Sequence, residues 1–221
     1  MFNISNKKLN NFKILLLILF LYSLIILKNL TFCLEISAVF TGIISVWFAK
    51  KENILLYPIG TVSVLIWIYL CWIAEIYSQA VINLFFFVMN IYGWYNWSRK
   101  DNSEKNKVQI KFSSLKENLF YIIVAGLLTW LIYSALSNLE ILNFNWKFVL
   151  IESFITTLNF IAMWLMAWKR VENWVLWIIA DIFCIPLFVF KEYYLSVAQF
   201  SIFIIIAFMG YFEWKKKALK N

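Results

Sequence analysis

Charged residues punctuate this chain, and the stretches between them are almost wholly apolar. Twenty-two uncharged residues separate Glu52 from Glu75, and 23 separate Glu75 from Arg99. Twenty-two separate Glu117 from Glu140, and 20 separate Glu192 from Glu213. A helix needs about 20 mostly apolar residues to cross the hydrocarbon core of a bilayer. Each run therefore predicts one membrane span. Three further spans are shorter or carry an internal acid: 30–49 with Glu35, 148–168 with Glu152, and 173–190 with Asp181. An eighth candidate runs from Ile14 to Leu27, between Lys13 and Lys28. A basic start followed by an apolar run also describes a signal peptide. No small-x-small cleavage site follows, so a retained helix is expected.

The basic residues orient these spans. With the N-terminus inside, the inner segments hold Lys7, Lys8 and Lys13, then Lys50 and Lys51, then six residues from Arg99 to Lys116. Lys169 and Arg170 follow, then Lys215, Lys216, Lys217 and Lys220. The outer segments hold only Lys28, Lys147 and Lys191, a split of 17 to 3. Under the positive-inside rule both termini are cytoplasmic. The net charge of +8 is then explained by loops facing anionic headgroups, without nucleic acid.

Composition agrees. Apolar residues make up 63 % of the 221 residues and charged residues 14 %, against roughly 45–50 % and about 25 % in soluble proteins. A soluble enzyme, a disordered tail and a disulfide scaffold are excluded. Histidine is absent, which removes His-ligated metals and Ser-His-Asp triads. Cys33, Cys71 and Cys184 lie far apart in apolar stretches and read as structural thiols. No cofactor or metal is expected.

The chain also repeats itself. The segment 75–100 aligns with 192–217 at an offset of 117, matching Glu75 to Glu192, Tyr77 to Tyr194, Phe86 to Phe203, Gly93 to Gly210 and Trp97 to Trp214. Glu35 and Trp47 match Glu152 and Trp164 at the same offset, whereas Asn53 matches Asn173 at 120. A three-residue indel is therefore expected between them. The span near 119–137 has no counterpart. One extra span between two three-helix units gives both the same orientation. The expected fold is an all-α integral membrane protein, a 3+1+3 parallel-repeat helical bundle plus one extra N-terminal transmembrane helix. Its parts are a cytoplasmic N-terminus with the extra helix (1–29), the first repeat (30–100), a basic cytoplasmic loop (101–118), a linker helix with an outer loop (119–147), and the second repeat (148–217). Such repeats are frequent in transporters, with the substrate near the midplane.

Polar side chains inside spans are costly and mark cavities or partner helices. Helical spacing puts Asn83, Asn90, Trp94 and Trp97 on one face. Glu152, Thr156, Asn159 and Met163 share another face, as do Trp174, Trp177 and Asp181. The last span adds Gln199 with Phe203 and Gly210. Aromatic faces with a few amides and one acid suit a flat, ring-containing small molecule, including a cationic one. Each residue also has a plainer reading. An amide can bond a neighbouring helix, Trp97 and Trp214 can belong to an interfacial belt, and Glu35 and Glu152 can face headgroups. A membrane-embedded enzyme is a distant alternative, since Asp181 is the only mid-span acid.

The stretch NLFFFVMNIYGWYNW (83–97), with Trp94 and Trp97 as a WxxW pair, resembles the PnuC family of bacterial nicotinamide riboside transporters. The stretch IAMWLMAWKRVENWVLWIIAD (161–181), around Lys169, Glu172, Asn173, Trp174 and Trp177, looks like that family's second signature. The resemblance implies a SWEET-like fold with seven core helices, assembled as a homotrimer. It implies passive alternating access, with uptake sustained by a cytoplasmic kinase that phosphorylates the substrate. The implied substrate, an NAD precursor, carries a pyridinium, a carboxamide and a ribose. Asn83 stands where the family pattern suggests glutamine, and Asp181 where it often has asparagine. The resemblance extends to relatives that carry thiamine or riboflavin, so thiamine or another B vitamin is the alternative substrate.

Overall fold

The computed structural model describes residues 29–99, 108–137, 146–190 and 192–220. Among these are seven long helices: α1 Asn29–Lys50, α2 Leu56–Ile73, α3 Tyr77–Ser98, α4 Leu115–Ser137, α5 Trp146–Ala167, α6 Glu172–Phe190 and α7 Tyr194–Ala218. All but α3 are long and apolar enough to cross a membrane by composition alone. The 22 residues of α3 have the length, but Asn83, Asn90 and Asn96 dilute its hydropathy. Helices are the expected solution, because lipid offers no partners and every backbone group must be satisfied internally. The expected N-terminal span 14–27, the basic segment 100–107 and the outer connection 138–145 lie outside the described residues.

Four turns share one construction. Glu52, Glu75, Lys169 and Glu192 each have positive φ, between 52° and 61°. In each, the amide of that residue bonds back three residues and the next amide bonds back five. Glu52 N–H donates to Ala49 O and Asn53 N–H to Phe48 O, and Lys169 N–H donates to Met166 O and Arg170 N–H to Leu165 O. This pairing satisfies the last helical carbonyls and usually employs glycine at the left-handed position. Glu52 and Lys169 stand 117 residues apart, as do Glu75 and Glu192. The offset therefore runs unbroken through the α1–α2 and α5–α6 turns, and the expected three-residue indel does not exist. The Asn53–Asn173 match misled because the two side chains do different things. Asn53 Oδ1 accepts from Leu55 N–H, whereas Asn173 Nδ2 donates to Arg170 O.

The helices pack α2 on α3 and α6 on α7, while α5 touches α6, α4 and α3. Phe85 against Phe160 (centroids 4.1 Å apart) and Tyr92 stacked on Trp164 (5.7 Å) join α3 to α5. No residue of α4 is buried within the chain. The largest core cluster gathers Tyr57, Ile110, Met166, Val171, Trp174 and Trp214. It sits at the end of the bundle where the basic helix termini meet. There the backbone of Lys111 pairs with Lys169 and Val171. Glu172 accepts from Ser113 N–H and Ser113 Oγ, and Arg170 pairs with Glu117 at 2.6 Å. These contacts strap the segment before α4 onto the α5–α6 turn.

Candidate substrate site

The polar residues of the spans divide into those with protein partners and those without. Asn83 Nδ2 donates to Gln79 O on its own helix at 2.9 Å. Asn96 Nδ2 donates to Ala167 O at 2.8 Å. Asn90, Asp181 and Gln199 are 4 %, 4 % and 7 % exposed, yet among the described residues their side chains make no hydrogen bond to protein. A buried amide or carboxyl without a partner costs about 1–3 kcal/mol or more. Groups of this kind in a native fold call for a ligand or water to complete them.

Local packing brings Asn90 and Gln199 toward one seam. On α1 Gly42 and Ser45, and on α2 Gly60 and Ser63, lie one turn apart. A Cβ added to Gly42 would meet Gln199 Nε2 and Ser63 Oγ at 3.2 Å, and Phe203 Cζ at 3.7 Å. A Cβ added to Gly60 would meet Ser45 Oγ at 2.7 Å and Asn90 Nδ2 at 3.4 Å. Small residues thus let α3 and α7 lay their amides against α1 and α2. Ser63 Oγ donates to Ala38 O and Ser45 Oγ to Leu56 O, so both hydroxyl protons are engaged. One turn before Asn90, Phe86 faces Trp177 with centroids 6.3 Å apart. Trp177 and Asp181 share a face of α6 at i, i+4. Asn159 is half-buried on α5.

Three expected pocket residues are placed otherwise. Trp97 and Trp174 are core residues at the basic end. Trp97 Nε1 donates to Ala167 O at 3.1 Å, and its ring meets Tyr57 edge-on at 5.2 Å. Trp174 is fully buried, with its ring against Gly210 and edge-on to Trp214 at 5.5 Å. Trp97 is only partly buried, and Trp174 Nε1 has no protein partner among the described residues. Trp94 is 44 % exposed and does not join the packed group. A helical wheel gives a direction but not what fills it, which is why these three read alike in the sequence.

The basic end carries contacts that sequence reasoning missed, and they come in pairs. Trp97 donates to Ala167 O, the last residue of α5, and Trp214 donates to Lys50 O, the last residue of α1, at 3.2 Å. Tyr57 meets Trp97 as Trp174 meets Trp214. Gly93 is covered by Tyr57 as Gly210 is by Trp174. Trp97 and Trp214 stand 6.1 Å apart. Above them Glu52 pairs with Lys169 at 2.8 Å and with Lys217 at 2.7 Å. Lys169 also lies 4.5 Å over the Trp97 ring. Lys50, 1 % exposed, pairs with Glu213 at 3.3 Å and sits 3.7 Å over Trp47. Burial pushes the Glu52 carboxyl up, but the two lysines outweigh it and hold it below the usual carboxylate range. A signal for this pair existed: opposite charges separated by the repeat offset.

Fold and site together define a multi-pass helical membrane protein with unsatisfied polar groups inside its spans. Over residues 32–216 the chain matches the family described as Nicotinamide mononucleotide transporter, and it belongs to that family. The enzyme alternative falls with that membership. The nicotinamide riboside transporter PnuC of Escherichia coli K12 is 26 % identical over 205 residues, covering 84 % of this chain and 86 % of that one. The riboflavin/roseoflavin transporter RibM of Streptomyces davaonensis is 25 % identical over 126 residues, covering 56 % of this chain and 57 % of that one. The crystal structure of the vitamin B3 transporter PnuC shares the fold, with a TM-score of 0.71 at 21 % identity over 93 % of this chain and 90 % of the other.

Proposed function

We propose that this protein is an inner-membrane facilitator for nicotinamide riboside. The observation that carries the reading is three buried polar side chains that bond no protein group among the described residues: Asn90 and Asp181, one helical turn after Phe86 and Trp177, and Gln199. Amides match a carboxamide and ribose hydroxyls, the Asp181 carboxyl opposes a cationic ring, and Trp177 offers a π-face. Asn159 belongs to the same pocket in this reading. Family membership and the Escherichia coli relative supply the particular vitamin.

Two three-helix repeats, α1–α3 and α5–α7, with α4 as the linker form the 3+1+3 arrangement of this reading. The contacts that recur in pairs support it, as does the constant offset of 117. The basic helix ends face the cytoplasm in this reading, on the strength of the 17 to 3 distribution of charge. Transport is passive alternating access, and a cytoplasmic kinase sustains uptake by trapping the product. A homotrimer accords with α4, none of whose residues is buried within the chain.

Calorimetry on the detergent-solubilised protein tests the substrate. Nicotinamide riboside binds saturably, and Asp181→Leu or Trp177→Ala weakens it at least tenfold. Binding of thiamine or riboflavin with none of nicotinamide riboside would keep the pocket and reassign its substrate.

A further inference from the structure

Apart from the strap before α4 and the bonds within each turn, the polar contacts described at the basic end join residues before 100 to residues after 145. Glu52 is held by Lys169 and Lys217, Asn96 and Trp97 both donate to Ala167 O, Trp214 donates to Lys50 O, and Lys50 pairs with Glu213. Asn90 stands two helical turns from Trp97 on α3, about 10 Å along the axis. A solute leaving the Asn90 level toward this end meets the Trp97–Trp214 pair first and the Glu52 ion pairs next. The backbone points the same way. Glu52 and Lys169 occupy left-handed positions where glycine would avoid a cost of about 1–2 kcal/mol. All four turns take this conformation, and at this end the two residues that adopt it bond each other.

We propose that Glu52, Lys169 and Lys217, with Trp97 and Trp214 beneath them, are the gate between the substrate site and the basic end, and that the structure captures it shut. The inference rests on the transport reading. Glu52 is the latch because it alone joins the α1–α2 turn to both the α5–α6 turn and α7. Release needs both lysines to leave it and the two indoles to part.

The test uses the full chain with Cys33, Cys71 and Cys184 replaced, reconstituted in liposomes. In one arm Glu52→Cys and Lys169→Cys are joined by a bifunctional thiol reagent that a reductant cleaves. Labelled nicotinamide riboside flux falls to the protein-free level when the link is made, equilibrium binding persists, and cleavage restores flux. Unchanged flux in the linked protein overturns the gate. A second arm needs no substrate. A single cysteine at position 90 (Asn90→Cys) is labelled from the basic side by an impermeant maleimide, and adding Glu52→Gln raises the rate at least fivefold. Equal rates with and without Glu52→Gln overturn the gate. If the unlinked protein moves no nicotinamide riboside but the labelling rates differ, the substrate reading fails and the gate stands.

Discussion

Replacing Asn90 by leucine should make the empty protein more stable and the loaded one weaker. The Asn90 amide is 4 % exposed and bonds no protein group among the described residues. Leaving such an amide unpaired costs about 1–3 kcal/mol. Part of that is recovered in a membrane protein, where interhelical hydrogen bonds average under about 1 kcal/mol. Asn90→Leu, of similar volume, therefore gains about 1 kcal/mol in the ligand-free state. The same substitution removes a partner from the ligand, and each 1.4 kcal/mol lost is tenfold in affinity. A loss of about tenfold to a hundredfold follows. Gln199→Met should behave alike. Asn96→Leu is the control, because that amide already donates to Ala167 O at 2.8 Å. Its loss should cost about 1 kcal/mol of stability. Thermal unfolding in detergent reads stability, and calorimetry with nicotinamide riboside reads affinity. If Asn90→Leu lowered the melting temperature and left affinity untouched, the amide would be a structural bond and the pocket would be wrong.

Three further outcomes follow from packing and charge. Gly93→Ala and Gly210→Ala should destabilise by similar amounts, because a new Cβ would lie 2.5 Å from Tyr57 Cζ in one and 2.7 Å from Trp174 Cε2 in the other. Overpacking costs about 1–3 kcal/mol against a helical gain of about 1; unequal responses in thermal unfolding would deny the two sites a common design. Glu75→Gly should stabilise by about 1 kcal/mol by relieving its left-handed backbone, whereas Glu52→Gly should not, since it also loses two ion pairs. Because Lys169 and Lys217 hold Glu52 below the usual carboxylate range, the latch is intact above that range and is lost as pH falls through the lowered value. The labelling rate of Asn90→Cys, divided by that of a free thiol at the same pH to remove the loss of thiolate, should therefore rise only below the ordinary carboxylate pKa, and the Glu52→Gln background should abolish that rise.

The seven helices were legible because a bilayer demands long uncharged runs. The expected 30–49, 148–168 and 173–190 became Asn29–Lys50, Trp146–Ala167 and Glu172–Phe190. Asn90, Asp181 and Gln199 stood out because polar groups inside spans are costly. For Trp97 and Trp174 spacing gives the face of each residue, and only packing shows that Tyr57 and Trp214 lie against them. The small seam of Gly42, Ser45, Gly60 and Ser63 passed unnoticed, since such residues matter through what they allow to approach. Glu52 and Lys169 were hidden because the repeat was traced by identity, and contacts between equivalent positions favour complementary charges.

Flux of labelled nicotinamide riboside into liposomes carrying the purified protein tests the central claim most directly. The account predicts saturable entry that stops when inside and outside concentrations are equal, needs no nucleotide, and is slowed by Asp181→Leu. Entry no faster than into protein-free liposomes, or accumulation of the unmodified nucleoside above the outside concentration, would contradict it.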